Sequence, residues 1–502
     1  MNKSYCNSCG ALVLSRAEER EGRVFLVKEC PGCGRSKTLI SGNADRYWAK
    51  RRLDGEHEYG PCELNCLACR HRKQPNFLFV DVTNRCNLNC PICINNTPSM
   101  GFVFEPPLEY FDELFRQVAQ WEPVPPVQLF CGEPTMREDL FEIIELAKSH
   151  GLPVRVVTNG LRLADEDYCR KLVDTRATLL VAFDGMNRET YRQLRASEKS
   201  LDLKLTALEN IRKVGGAKVG LMMCVAKGIN DGEMPQWLAF FHDRRDSIRG
   251  AYFMPLAHTW DPSQFGFEPE RITSEDIESA VGACFPDVRA EFVPAGVFGR
   301  MPNLMSLLGV KPPPFMGAHP NCESLYLLVS DGTKYVPLDC YMASSLANLI
   351  GELCKIEERL IGRGADGAAC MRRRLARARA KWAAVRCLFR NVRWRRILKG
   401  RSLAKVYHAL AAAAGLLVGG KTRTVLGRHT NLGELFQMIV LPFEDRFVLE
   451  TDRLERCPNA FAFLDPGSGR VKTVPVCAWS QSKNAVMQRI TDSYAVAAAR
   501  EA

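Results

Sequence analysis

The sequence predicts an α/β fold: a partial barrel of six strand–helix units, with a small metal-binding head before it and a cysteine-bearing extension after it. Three observations predict it. Six near-continuous apolar runs between residues 77 and 260 alternate with amphipathic helical stretches, as parallel strands covered by helices do. Polar or Gly-rich residues follow these runs. Two matching C-x-x-C-G turns precede them, and further cysteines come after.

The head spans residues 1–60. "CNSCG" (Cys6, Cys9) and "CPGCG" (Cys30, Cys33) flank a β-like "RVFLVKE". In such a turn, backbone N–H groups face the sulfurs while the glycine takes up a positive φ. Two turns give four thiolates, a site for one structural zinc or one rubredoxin-like iron. Residues 61–76 carry Cys62, Cys66 and Cys69 in "GPCELNCLACRH". That C-x-x-x-C-x-x-C loop reads as an auxiliary cluster site, or as a turn serving the head metal.

The strand candidates in 77–260 are "FLFVDV" (77–82), "VQLF" (127–130), "VRVV" (154–157), "TLLVAF" (178–183), "VGLMMCV" (219–225) and "AYFMP" (251–255). Six units imply an incomplete, TIM-like (β/α)6 barrel. The first run leads into Cys86, Cys90 and Cys93, the second into "CGEPT" and the third into "TNG". "DG", "AKGIND" and "LAHTW" follow the others, the last placing His258 and Trp260 at a strand end. Chemistry gathered at the carboxyl ends of parallel strands marks an enzyme. Three cysteines at this spacing hold three corners of a four-iron cubane and leave the fourth iron open to a ligand.

Residues 261–345 form a post-barrel segment with a break at "KPPPF" (311–315). Residues 346–430 are a basic helical segment, and 431–502 a cysteine-bearing end. "CESLYLLVSDGTKYVPLDC" and "CPNAFAFLDPGSGRVKTVPVC" share one pattern: Cys, apolar strand, Gly turn, "VP", Cys. Hairpins of this kind offer Cys322, Cys340, Cys457 and Cys477 as further cluster ligands. The remaining cysteines read as packing residues.

Bulk composition agrees. At 502 residues the chain holds two to four domains, and 46% hydrophobic with 25% charged residues is globular composition. The longest apolar stretch, "ALAAAAGLLVGG" (409–420), is too short to span a bilayer. "MNKSYCNSCG" lacks a signal-peptide core, so a cytoplasmic protein is expected. Twenty-one cysteines in a reducing compartment point to metal.

Net charge is +11, and residues 371–400 alone hold twelve Lys+Arg and no acid. Leu375, Ala378, Trp382, Val385, Phe389 and Val392 recur there at helical spacing. Such a helix either lies peripherally on an anionic membrane or packs its apolar face on the core. Nucleic-acid binding is disfavoured, because no RNA-binding module accompanies the charge.

Together these motifs resemble the radical SAM superfamily. The resemblance implies that Cys86, Cys90 and Cys93 hold a 4Fe–4S cluster whose open iron chelates S-adenosylmethionine, which one electron cleaves to a 5′-deoxyadenosyl radical. "CGEPT" is similar to the family's Gly-Gly-Glu-Pro element, with Cys131 in place of the first glycine. It implies contacts to the cofactor from Gly132 and Glu133, and "TNG" and "FDGMNRETYRQLR" imply others from Thr158, Asn159, Asp184 and Arg195. The head, the second cysteine loop and "HPNC" resemble one branch, which includes an archaeal tetraether lipid synthase and proteins assigned as pterin methyltransferases. The branch implies one or two auxiliary 4Fe–4S clusters and a ferredoxin- or flavodoxin-type electron donor. It further implies hydrogen abstraction from an unactivated carbon, in lipid carbon–carbon coupling or a related lipid modification. Radical methylation of a pterin or other small molecule, and peptide maturation, are the alternatives.

Overall fold

The computed structural model describes residues 2–54, 60, 62–69, 74–95, 100–259, 269–362, 370–401, 403–418, 422–431 and 434–501. The head is an antiparallel sheet in sequential order: β1 Lys3–Tyr5, β2 Leu12–Arg20, β3 Arg23–Cys30 and β4 Gly34–Ser41. A ribbon this small buries little of its own apolar surface, and buried polar bonds tie it to the rest of the chain. Lys28, fully buried, donates to Tyr5 O (2.8 Å), Asn7 Oδ1 (2.7 Å) and Phe447 O (2.8 Å). Those three acceptors satisfy every donor of the ammonium. Lys50, on the helix Ala44–Arg52, pairs with Glu275 at 2.5 Å and Glu278 at 2.8 Å on the helix Ser274–Ala283.

The six expected strands form as β5 Phe77–Asp81, β6 Val127–Phe130, β7 Val154–Thr158, β8 Thr178–Ala182, β9 Val219–Val225 and β10 Ile248–Pro255. They lie side by side in sequence order, all parallel. Buried on both faces, such strands become continuous apolar runs. Helices Leu108–Val118, Leu140–Ser149, Glu166–Asp174, Ser200–Val214 and Met234–Asp243 each bury an apolar face.

The sheet continues past both edges of this six-strand core. After β11 Val293–Pro294, β12 Ser324–Ser330 and β13 Tyr335–Pro337 come β14 Leu435–Val440, β15 Asn459–Asp465 and β16 Arg470–Pro475. β14 pairs parallel with β10, and β15 pairs parallel with β5. Eight parallel strands therefore stand in a row, the outer two supplied by the carboxyl-terminal segment. Antiparallel β12 and β16 cover the outer strands, so the barrel stays open.

The basic segment folds as helices Leu346–Gly362, Cys370–Asn391, Leu403–Leu417 and Thr422–His429. Of the apolar face expected on the second of these, only Val385 is buried. Ala380, Ala384, Val385, Cys387 and Asn391 are buried, while Leu375 and Trp382 stand 50% and 55% exposed. The small side chains let this helix approach Leu346–Gly362 closely, and Glu352 ties the pair by accepting from Asn391 Nδ2 (3.0 Å) and Cys387 Sγ (3.1 Å). Phe389 stacks on Trp394 at 4.3 Å instead of joining the core.

Candidate active site

Cys86, Cys90 and Cys93 sit beyond the carboxyl end of β5 and line a cavity of about 260 Å³ in the mouth of the barrel. The loop is held from beneath. Glu133 N donates to Arg85 O at 2.8 Å, and Gly132 packs so tightly on the loop that a Cβ there would meet Arg85 O at 2.3 Å and Thr83 O at 2.8 Å. Gly132 has φ +53° and Cys131 φ +72°. The turn thus keeps its left-handed backbone although its first residue is a buried cysteine.

The carboxylate of Glu133, 1% exposed, joins the ends of β6 and β7. Its Oε1 accepts from Thr135 N (3.1 Å), Thr135 Oγ1 (2.7 Å) and Thr158 Oγ1 (2.7 Å), and its Oε2 from Asn159 N (2.6 Å). Asn159 in turn donates from Nδ2 to Asn87 Oδ1 in the cysteine loop at 2.6 Å. Gly132, Glu133, Thr158 and Asn159 all line the cavity beside the three thiols.

Asp184 is fully buried and takes both nitrogens of a bidentate fork from Arg195, at 2.7 and 2.9 Å, plus Cys224 N at 2.9 Å. Its carboxylate is committed inside the protein, so its role is to aim Arg195, which does reach the cavity wall. Lys204 reaches it too, fully buried, donating to Asn159 O and to Ala182 O (2.6 Å). Burial lowers the Lys204 pKa to about 8, with Asp184 opposing that shift. Burial raises the Cys86 thiol to about 12 and raises Cys90 as well, Arg195 working against the latter. Two cations beside a buried thiol favour its deprotonated, metal-ligating form. Lys204 escaped the sequence reading although it lies in register with Leu201, Ala207, Leu208 and Ile211. A lysine on an apolar helical stripe was the available signal.

The lining of the same cavity also includes Cys322, Cys457 and Cys477. Cys340, expected with them, is elsewhere: it lies in the turn Leu338–Tyr341, where its carbonyl accepts from Arg396 at 3.3 Å. The two hairpins explain the difference. β15 and β16 pair over their whole length, Ala460 with Pro475, so the flanking Cys457 and Cys477 converge. β13 pairs with β12 over only three residues before the chain turns away.

A buried carboxylate, Glu444, lies near Cys477. Glu444 is 2% exposed, its N–H points at Cys477 Sγ (3.4 Å), and neither carboxylate oxygen has a hydrogen-bond donor among the described residues. Arg453 Nε approaches Glu444 Oε1 to 3.0 Å without hydrogen-bond alignment. Burial raises the Glu444 pKa to about 8 against the pull of Arg453.

In the head, Cys6, Cys9, Cys30 and Cys33 place all four sulfurs within 4.8 Å of one another. Backbone N–H groups of Cys9 and Ser8 lower the Cys6 pKa to about 6, as a metal-binding knuckle requires. Cys62, Cys66 and Cys69 do not line the central cavity. They lie near Tyr5 of the head, whose pKa is raised by burial and by Cys66 and Cys62. Cys62 N is anchored on Glu455 Oε1 at 2.7 Å. His258 is off the cavity wall, its backbone N–H held by Asp445 at 2.9 Å, and Trp260 lies outside the described residues.

Comparison with known proteins follows this division. Residues 80–241 match the radical SAM superfamily, and residues 1–42 match the HMPTM N-terminal zinc ribbon domain. The chain is 30% identical over 371 residues to the 7,8-dihydro-6-hydroxymethylpterin dimethyltransferase of Methanocaldococcus jannaschii, covering 71% of this chain and 73% of that one. It is 30% identical over 193 residues to the GTP 3′,8-cyclase of Nautilia profundicola, covering 38% of this chain and 59% of the cyclase. Among solved structures, methylornithine synthase aligns at a TM-score of 0.32 and 21% identity, over 44% of this chain and 65% of that one.

Proposed function

The chain belongs to the radical SAM superfamily, and from that premise we propose that it abstracts hydrogen from an unactivated carbon of an extended apolar substrate, a lipid hydrocarbon chain. One observation carries the reading. A single cavity is lined by the cysteine loop and by Cys322, Cys457 and Cys477, with hydrophobic side chains making up most of the remaining wall.

Part of that wall is aromatic. Phe79 lies 5.8 Å from Phe130 and 5.1 Å from Phe461, and Phe461 stacks on Trp479 at 5.3 Å. Leu180, Met222 and Leu441 line the rest, and Glu133 is the one acidic side chain among the described lining residues. Such walls reward an apolar ligand and leave a polar one poorly solvated.

The donor set fits the superfamily's cofactors. Cys86, Cys90 and Cys93 would hold the 4Fe–4S cluster, and the backbone of 131–133 with Thr158, Asn159 and Arg195 would hold S-adenosylmethionine. Bound there, these groups supply a 5′-deoxyadenosyl radical on receipt of an electron, for which a ferredoxin- or flavodoxin-type protein is the proposed donor. The chain's own part is to fix the site and keep it dry. Glu133 locks the strand ends, Asp184 aims Arg195, and the aromatic wall excludes water.

Cys322, Cys457, Cys477 and Glu444 offer three thiols and a carboxylate for an auxiliary cluster, with Arg453 balancing negative charge. Cys62, Cys66 and Cys69 offer a second auxiliary site, and the head a zinc or iron site. A ligand site facing the substrate space would let an auxiliary cluster act on the substrate as well as relay electrons. Coupling of two chains, or desaturation of one, is the outcome this placement favours.

A second reading, radical methylation of a pterin, is favoured by the similarity to the Methanocaldococcus jannaschii protein. Gln128, Arg155 and Tyr252 in the cavity wall would supply its polar contacts. The test is anaerobic turnover of the reconstituted enzyme with S-adenosylmethionine and a strong reductant, measuring 5′-deoxyadenosine with lipid extract or with a reduced pterin. A lipid-dependent rise with a hydrogen-depleted lipid product supports the first reading. A pterin-dependent rise with a methylated pterin replaces it by the second.

A further inference from the structure

The helix Leu403–Leu417 is amphipathic in the wrong direction for a protein in water. Its packed side is narrow: Ala412 and Leu416 are buried, the Cβ position of Gly415 lies 3.1 Å from Val425, and His408 Nδ1 meets His429 Nδ1 at 3.0 Å. Its outer side is apolar from end to end. Leu403 is 85% exposed, Val406 57%, Tyr407 64% and Leu410 67%, and Val418 just beyond the helix 86%. These positions recur at three- and four-residue steps, so they form one stripe along the helix. A surface helix normally buries such a stripe and shows its charges. Contiguous exposed apolar surface of this kind marks an interaction site.

The surroundings say what covers it. Residues 370–433 contain seventeen Lys+Arg and not one Asp or Glu. Exposed cations sit on the neighbouring elements, among them Arg390, Arg393, Arg395 and Arg401. A second copy of this chain is a poor partner, since two such surfaces repel. A partner that takes both an apolar ridge and a dense positive field is a bilayer with anionic headgroups.

We propose that the helix Leu403–Leu417 seats the protein on an anionic membrane surface, its apolar stripe in the interface and the flanking cations against the headgroups. This surface is distinct from the face expected from sequence in 371–400, and it stands whether the substrate is a lipid or a pterin. The protein would lie on the membrane and not span it: no described helix is long and apolar enough to cross one.

The test is vesicle flotation of the full chain, without S-adenosylmethionine, so that it is independent of turnover. Phosphatidylcholine vesicles are compared with vesicles containing equal phosphatidylglycerol. The expected result is flotation with the anionic vesicles alone, weakened by 0.5 M salt, about that ionic strength sufficing to screen the headgroups. Val406→Glu/Leu410→Glu should weaken binding at least tenfold, and Arg401→Glu/Lys405→Glu should weaken it too. All four positions lie at the surface, and unchanged thermal unfolding of both variants confirms that the fold is kept. Wild-type protein that stays in solution with anionic vesicles overturns the proposal. So does undiminished binding by Val406→Glu/Leu410→Glu, self-association that this variant abolishes, or RNA binding that persists in it without vesicle binding.

Discussion

Trp479 donates its indole N–H to Asp81 Oδ2 at 2.7 Å, joining two residues 398 positions apart. Asp81 ends the first barrel strand, and Trp479 lies in the first turn of the helix Val476–Glu501. The bond closes the carboxyl-terminal helix over the aromatic wall. Asp81 is 6% exposed, its Oδ1 has no hydrogen-bond partner among the described residues, and burial raises its pKa to about 6 against the pull of Lys483. Trp479→Phe keeps a ring to stack on Phe461 but removes the donor. A loss of about 1–3 kcal/mol is expected, the cost of a buried acceptor left unpaired. Denaturant unfolding measures it, and a variant as stable as the parent would show that the bond contributes nothing.

Glu133 is the next position to test. Glu133→Gln keeps the size but replaces one acceptor oxygen with a donor. Either orientation of the amide sets N–H against N–H, at Asn159 or at Thr135. The two strand ends should separate slightly, and S-adenosylmethionine affinity should fall about tenfold, equivalent to about 1.4 kcal/mol. Equilibrium dialysis with the reconstituted protein reads this directly, with circular dichroism as the check on folding. Parental affinity in the variant would remove Glu133 from the positioning of this site.

The six barrel strands were legible because burial on both faces leaves an apolar run that water-facing strands lack. The loop of Cys86, Cys90 and Cys93 was legible because ligation of a 4Fe–4S cluster imposes its own spacing. β14 and β15 were not seen as barrel strands. "NAFAFLD" reads as a hairpin strand, "LFQMIV" (435–440) carries no strand expectation, and what makes them part of the barrel is pairing with β5 and β10, which lie far away in sequence. The Cys340 expectation failed for a related reason: two similar segments have ladders of different length, which local pattern does not report. Glu444 and Arg453 carried no local signal, since only the fold brings them near thiols supplied by distant segments.

That contrast gives a metal-content prediction. Cys457→Ala should lower iron in the reconstituted protein by about four atoms per chain, one cubane's worth. Cys340→Ala should leave iron unchanged, because Cys340 stands apart from the cavity. Glu444→Ala should retain the cluster with an altered electron paramagnetic resonance signal. Equal iron loss in the Cys340 and Cys457 variants would return Cys340 to the ligand set.

Stability should also depend on pH through His319, which is 1% exposed. Its Nδ1 accepts from Asn321 N at 3.1 Å, and its Nε2 lies 3.3 Å from Asp452 Oδ2. Arg51 Nη1 contacts the same ring nitrogen and donates to the same Asp452 Oδ2 at 3.0 Å. Burial lowers the His319 pKa to about 3, Asp452 opposing. The unfolded chain therefore binds a proton near pH 6.5 that the folded chain refuses until about pH 3. Stability from this group is complete above pH 6.5 and is lost as pH falls, by about 2 kcal/mol at pH 5. Asp452, whose pKa is depressed by His319 and Arg51 despite burial, adds stability that is lost only at lower pH. The expected result is a melting temperature that declines steadily from pH 6.5 to 5. In His319→Gln, which titrates in neither state, the decline over that window should be smaller by this amount. A parallel decline in both proteins would place the acid sensitivity in another group.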